Sequence, residues 1–429
     1  MTPTSSLLAD DLVYSPVRRP RLALEGGAPV RSRPWPSYDK GDVFINPEDE
    51  AAAIAAIRSH LYFRYDFRDQ ADTACGRLER RAADWFGSRH ALAVSSGTAA
   101  IALALMAAGI PKGAKVVVPG FTFAATPSAV VLAGCEPYLV ECDADLNFDL
   151  DDLRRRWRDD IAAILVVHMR GVASDMPAIC DFAAEHGVPV IEDAVPAMGA
   201  ELDGRKLGTF GLAGCFSTQS DKSINTGEGG LLVTDDSGLY ARAIVLAGAY
   251  EGRMRRHFPE DRRDGLPSDL ELPLLSMRMD EIRAALAEAQ FDRLGIRLAD
   301  FARNYDAIYD ALERVPGIRL RRSPSPGAAL GDSLVFMVEE GDPARFAAAL
   351  RAEGIGARLL GAADDTNVRV FWNWRFLFPG EDPSAIKLRL PATAAVLQRA
   401  IDVPLASTLT ATDIADLVTA VRKVAAAGA

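Results

Sequence analysis

The chain has 429 residues, 49% of them hydrophobic and 25% charged, and a formal net charge of −11. That composition can bury a large core, and at about 150 residues per domain it suggests two or three domains. The acidic balance and the absence of a basic run exclude a nucleic-acid or anionic-membrane surface, because each phosphate contact needs a cation. No stretch approaches the ~20 uncharged apolar residues of a bilayer span. The opening MTPTSSLLADDLVYSP carries acids where a signal peptide needs cations, so a cytoplasmic protein is expected. Five cysteines, with no CxxC pair and no His/Cys cluster at zinc spacing, read as buried thiols, and no metal site is expected.

Residues 1–40 hold PVRRPRL and RSRPWPSY, too rich in Pro and Arg for regular structure, and read as an extended arm. From Pro47 to Phe86 the apolar residues recur at three- and four-residue spacing, which predicts helices. The rhythm then changes to short apolar runs: ALAVSS, KVVVPG, PYLVEC, AAILVVHM and VPVIED, with helical stretches between them. Runs apolar throughout are strands covered on both faces, and helical crossovers make their sheet parallel and doubly wound. CFSTQS and GGLLVTDD follow without a long helix between them, so the sheet should finish with a closely spaced pair. The reading is an α/β fold with a mostly parallel, seven-stranded sheet in a large domain at 41–290. A long amphipathic stretch at 279–315 leads into a smaller C-terminal α+β domain at 291–429.

Parallel sheets of this kind place ligands at the carboxyl ends of their strands. Ser95-Ser96-Gly97-Thr98 is a strand end turning into a helix, where free N–H groups and the helix dipole favour a phosphate dianion, or where Ser96 is a plain cap. Asp193 closes the strand VPVIED, while Glu192 alternates to the opposite face. Lys222 lies beside the strand CFSTQS, just before TGEGG, with glycines giving the backbone freedom around it. Ser217, five residues earlier, can donate to the phosphate, and Phe123 follows the strand KVVVPG as a flat ring. Phosphate cradle, ring anion, ring stack and lysine are the four needs of pyridoxal phosphate (PLP). FRYDFR and VFWNWRF put Tyr65, Trp372, Asn373 and Arg375 forward as readers of substrate hydroxyls, or as a seam between domains.

SSGTAAI, VPGFTFAAT, VIEDA and FSTQSDKSINTGEGG, in this order and at these separations, resemble the DegT/DnrJ/EryC1/StrS sugar aminotransferase family, which includes 3-amino-5-hydroxybenzoate synthase and inosose aminotransferases. The resemblance runs from about Leu24 to the C-terminus. It implies a PLP-dependent transferase of fold type I, a homodimer, and an amino group moved from glutamate or glutamine to a ketone of a sugar, cyclitol or related small molecule. It implies Lys222 as the lysine bonded to the cofactor aldehyde, Asp193 as the pyridine partner, Phe123 as the ring stack, and Ser96, Gly97, Thr98 and Ser217 at the phosphate. The arm, with Trp35 between two prolines, would then lie on the second subunit.

Two positions depart from the family pattern. Pro196 stands three residues after the aspartate, where members carry Gln or His near the phenolic oxygen, and it donates nothing. Ser276 stands where members carry an Asn that crosses the dimer to the phosphate, and it is expected to replace that phosphate donor with a shorter reach. A PLP dehydratase of the same family is the first rival, but one dehydratase type replaces the lysine by histidine. A nicotinamide oxidoreductase lacks its GxGxxG after any strand, and a PLP-binding regulator lacks a DNA-binding extension.

Overall fold

The computed structural model describes residues 20–36, 45–263, 266–268, 270–325, 327–363 and 366–429. After a first helix α1 (Pro47–Ser59) and α2 (Ala74–Phe86), each apolar run becomes a strand and most are followed by a helix. The order is β1 (His90–Val94), α3 (Gly97–Ala107), β2 (Lys115–Pro119), α4 (Ala125–Leu132), β3 (Glu136–Val140), α5 (Leu150–Arg156), β4 (Ile161–Val167), α6 (Met176–Glu185) and β5 (Val190–Asp193). A two-stranded hairpin, β6 (Glu201–Leu202) and β7 (Arg205–Lys206), precedes β8 (Ala213–Ser217) and β9 (Gly230–Thr234). Seven of these strands form one sheet in the order β1-β9-β8-β5-β4-β2-β3. Pairs β2/β3, β2/β4, β4/β5 and β5/β8 are parallel, and β9 alone runs against its neighbours β1 and β8. The closely spaced pair therefore exists, but β9 is inserted inside the sheet and does not end it.

Helix α7 (Ser237–Ala247) is followed by a single α8 (Glu281–Leu312), which leaves the large sheet and enters a second one. That sheet pairs β10 (Ile318–Leu320), β11 (Ser333–Val338), β13 (Ala400–Pro404) and β12 (Arg358–Leu359), in the order β10-β11-β13-β12. Helices α9 (Pro343–Ala352) and α12 (Ala411–Ala427) join the same core. Between them, α10 (Pro383–Lys387) and α11 (Pro391–Leu397) lean back on the large sheet. The buried Glu141 carboxylate accepts from the Thr393 N–H at 2.7 Å and fixes the α11 end there.

This packing decides between the two readings of the aromatic segments. Tyr65, Phe371, Trp372 and Trp374 are buried in the large-sheet core. The Tyr65 hydroxyl bonds His257 at 2.9 Å, Asn373 Nδ2 donates to the Asn367 carbonyl, and Arg375 is exposed. Tyr65 packs within the large domain beside His257, whereas the segment at Phe371–Trp374 lies against the β2 end, with Val370 bridging Phe121.

The described part of the arm corrects the expectation of a second subunit. Residues 20–36 lie on the chain's own small sheet. Leu22 is fully buried with Ile308, Phe346 and Leu417. The Glu353 carboxylate accepts from Ala23 N at 2.8 Å and Val30 N at 2.9 Å and pairs with Lys423. Arg31 binds Asp413 at 2.7 Å and Asp416 at 2.9 Å, and Trp35 Nε1 donates to the Pro404 carbonyl. Prolines keep this segment from forming its own core, and these anchors supply the surface it needs. Leu22→Ala is expected to destabilise the protein by about 2–4 kcal/mol, the cost of truncating a buried leucine. Its thermal midpoint should fall by the same amount at all protein concentrations, whereas an arm docked on a partner would make the loss concentration-dependent.

Candidate active site

The carboxyl ends of β1, β2, β4, β5 and β8 open onto one cavity of about 410 Å³. Its walls include Ser96, Gly97, Thr98, Phe123, Asp193, Ser217 and Lys222, which brings together seven of the eight site residues expected from the sequence. Pro196 is also on the wall. Ser276 is not. It sits in a left-handed turn (φ 54°) outside the cavity, next to Met277, whose carbonyl accepts from Ser95 N at 2.8 Å.

The cradle is built by close backbone approach. Ser96 caps α3 by accepting from Ala99 N at 3.0 Å, so its side chain serves the helix while the first N–H groups point outward. A methyl on Gly97 would lie 2.9 Å from Val195 Cγ2 and 3.0 Å from Ser217 Cβ. One on Gly230 would lie 2.5 Å from the Ser96 carbonyl. Only glycine lets β9 and the α3 start meet here. Ser217 is buried and its hydroxyl accepts from Gln219 N at 3.2 Å.

Asp193 is buried at the end of β5. Burial pushes its carboxyl above the ordinary value, opposed by the hydrogen bond from Thr126, the Val195 N–H and the charge of Lys222. Thr126 Oγ1 donates at 2.6 Å and in turn bonds Thr122 at 2.6 Å. Glu192 faces the other way, as strand alternation requires, and accepts from Gly208 N, Gly211 N and His168. Lys222 is carried on a turn held from behind by α8. Gln290 bonds both the N–H and the carbonyl of Asn225, and Arg297 donates to the Ser223 carbonyl at 2.8 Å. Phe123 keeps 47% of its surface exposed, and the Arg369 guanidinium lies 5.6 Å from its ring centre.

Sequence reasoning missed Thr126, Arg170, Asp332 and Arg369, all on the same wall. Thr126 had a signal, since Thr122 and Thr126 share one face at helical spacing. The other three come from the seam between the two sheets, which no local pattern announces.

A family model matches residues 70–422. The chain belongs to the DegT/DnrJ/EryC1/StrS aminotransferase family. It is 33% identical over 328 residues to L-glutamine:2-deoxy-scyllo-inosose aminotransferase of Streptomyces kanamyceticus, covering 76% of this chain and 74% of that one. It also covers 50% of the length of Protein MosB of Rhizobium meliloti, at 35% identity over 251 residues. Its fold matches the crystal structure of 3-amino-5-hydroxybenzoic acid synthase with a TM-score of 0.74, 24% identity, and coverage of 93% of this chain and 99% of that one. An E. coli GDP-4-keto-6-deoxy-D-mannose-3-dehydratase with bound hydrated PLP also has a TM-score of 0.74, at 20% identity, covering 90% and 99% of the two chains. The protein is a PLP-dependent aminotransferase of fold type I.

The cavity of this aminotransferase fits the cofactor. A helix start with two hydroxyls suits the phosphate, and a buried carboxylate whose burial outweighs its hydrogen bonds and the nearby lysine suits a protonated ring nitrogen. In the cofactor-free protein that carboxyl holds its proton more tightly when folded than when unfolded. As pH rises past the ordinary carboxylate range the unfolded chain ionises first, so stability falls through that window. Cofactor-free Asp193→Asn is therefore expected to melt above the cofactor-free wild type at pH 8, with the gap closing near pH 4. The same variant loaded with PLP should turn over at least ~10²-fold more slowly. Calorimetry and initial rates check both, and an equal or lower melting point at pH 8 counts against the electrostatic assignment.

Proposed function

We propose that this aminotransferase takes its amino group from glutamine or glutamate and places it on a ketone of a cyclitol or sugar, in a biosynthetic pathway. The observation that carries this is the convergence of Lys222, Asp193 and the Gly97 cradle on one cavity, combined with relatives named for inosose transamination. When bound, the cofactor supplies an aldehyde that takes up an amino group and a charged ring that delocalises the electron pair left at the donor carbon. The N–H groups at the α3 start, with Thr98 and Ser217, would hold the phosphate. Asp193, oriented by Thr126, would keep the ring nitrogen protonated. Phe123 would cover one ring face. Lys222 Nζ would hold the aldehyde and, once freed, carry the proton removed from the donor carbon. The same residues would serve the ketone in the reverse direction. Pro196 offers no N–H to the phenolic oxygen, so ring tuning at that edge falls to other groups.

The test is a half-reaction screen. Glutamine and glutamate should bleach the visible band of the lysine-bound cofactor, and an inosose added next should restore it. Borohydride should fix the cofactor on Lys222, and Lys222→Ala should abolish both. A reduced cofactor mapped to another lysine, or a band that no amino acid bleaches, refutes the reading.

The enzyme would act as a homodimer. Phe67 is 82% and Leu270 93% exposed, with Tyr62, Phe63 and Leu274 also bare, all close in sequence to the Tyr65 and Ser276 turns. Arg278 lies over the Phe63 and Tyr250 rings, so Phe63 borders the Ser276 segment. Burying it against a second copy would turn Ser276 towards the partner's phosphate. A cytoplasmic setting agrees with five cysteines outside disulfides, and among the described residues no helix is long and apolar enough to cross a membrane. Sedimentation is expected to show a dimer at micromolar concentration, with cofactor loss weakening it. A fully active monomer refutes the shared site.

A further inference from the structure

Lys222 has two tasks in the proposed reaction: to hold the cofactor aldehyde and, once freed, to carry a proton from the donor carbon. A four-carbon stem ending in a rotatable amine meets both only if its backbone root is fixed. Towards β8 that root is held lightly. Lys222 N donates to the Gln219 carbonyl at 2.9 Å and Asp221 N to Gln219 Oε1 at 3.1 Å, both within one half-buried turn.

On the other side, three consecutive residues are tied to α8. Ile224 is fully buried with Ala287, Phe291 and Leu294 of that helix. Apolar packing has no direction, so this contact alone would leave the segment free to slide and roll. Gln290 and Arg297 supply the direction. They stand seven residues apart on α8, about two turns, and so share a face. Gln290 Oε1 accepts from Asn225 N at 2.9 Å and its Nε2 donates to the Asn225 carbonyl at 2.6 Å, as a neighbouring strand would. The other Nε2 hydrogen goes to the Leu286 carbonyl at 3.1 Å, and Oε1 accepts a second bond from Arg297 Nη1 at 3.2 Å. Arg297 Nη1 also donates to the Ser223 carbonyl at 2.8 Å.

A side-chain amide carries two donor hydrogens and two acceptor lone pairs, and Gln290 has used all four. It is fully buried, where a hydrocarbon of similar size would pack without needing any of them. Residues 223 and 225 are thereby oriented on either side of Ile224, and residue 223 is the next link after the lysine.

We infer that Gln290, with Arg297 beside it, is a positioning residue for Lys222: it fixes the direction of residues 223–225 and so the point from which the lysine amine reaches. The inference rests on Lys222 as the cofactor lysine. Bonding to the aldehyde tolerates a slack root, because the flexible stem adjusts before the bond forms. Proton transfer at a carbon needs the amine at hydrogen-bond distance and in one direction. A loss of positioning therefore falls on proton transfer.

Gln290→Met keeps the length and removes all four hydrogen bonds. Gln290→Glu keeps the acceptor for Asn225 N–H and Arg297 and loses the donor to the Asn225 carbonyl. In the cofactor-free protein, hydrogen exchange at the Asn225 amide should quicken ~10-fold in Gln290→Met, while β5 and the α3 start exchange as in the wild type. Loaded with PLP, Gln290→Met should still yield cofactor fixed on Lys222 after borohydride, with the half-saturating glutamine concentration within about threefold of wild type. Its rate of amino uptake from glutamine, per bound cofactor, should fall by ~10²-fold, the cost of a misplacement of about 1 Å. Deuterium at the α-carbon of glutamine should slow the variant more than the wild type, because proton removal has become limiting. Gln290→Glu should fall between, and Arg297→Met should move the same way. A purely structural role would lower cofactor content and melting temperature and leave the isotope effect unchanged. The inference is overturned if Gln290→Met matches the wild type in per-cofactor rate and isotope effect, or if its loss is confined to glutamine affinity. Should Gln290→Met not fold, Gln290→Glu and Arg297→Met decide by the same measurements. Borohydride capture on another lysine in the wild type removes the Lys222 reading and the inference together, whereas capture on Lys222 with unchanged proton removal in the variants removes the inference alone.

Discussion

A carboxylate at the buried end of a parallel strand is the constraint around which this active site is arranged. Asp193 is almost wholly buried on the cavity wall, and its hydrogen bonds and the nearby lysine do not offset that burial. Such a group is costly until a cation arrives against it, and in the proposed function the pyridinium of the cofactor would be that cation. The surrounding order serves the same end. Thr126, itself bonded to Thr122, holds one carboxylate oxygen, Val195 N–H the other, and the His168 backbone N–H donates to the Asp193 carbonyl. The cost in the empty protein is the binding energy held for the loaded one.

The second requirement is precision in the backbone. Gly97, Gly230 and Gly171 each sit where a methyl would strike a neighbour at less than 3 Å. At Gly97 the α3 start touches β8 and the turn after β5, at Gly230 β9 touches the α3 start, and at Gly171 the two sheets touch. The site is thus framed on both sides by contacts that tolerate no side chain. The turn bearing Lys222 is fastened by α8, so the lysine's anchor belongs to the helix that joins the two sheets.

What the sequence disclosed follows from how local its signals are. Apolar runs such as AAILVVHM name buried strands, and Asp193, Lys222 and Gly97 stand at strand ends where the pattern breaks, so all three could be read in place. The insertion of β9 between β8 and β1 is a pairing between distant segments and leaves no periodic trace. Arg170 and Asp402 are 232 residues apart and meet only because the sheets do. Tyr65 and Trp372 looked like polar-site aromatics because FRYDFR and VFWNWRF mix rings with charge. Packing gave them to the core, with their polar atoms satisfied inside the protein. The arm misled for a related reason. A segment unable to fold alone must lie on something, but composition does not say on what, and Glu353 and Asp413 supplied the answer from the same chain.

That last arrangement has a consequence during synthesis. Leu22 and Ala23 leave the ribosome some 330 residues before Glu353, the carboxylate that captures them. At 5–20 residues per second the interval is roughly 15–65 s. Through that time an apolar leader containing Leu22 and Trp35 has no surface of its own to bury it, while the large sheet behind it can already assemble. The strap is made long before the small sheet that receives it, so it is among the last parts of the described chain to dock.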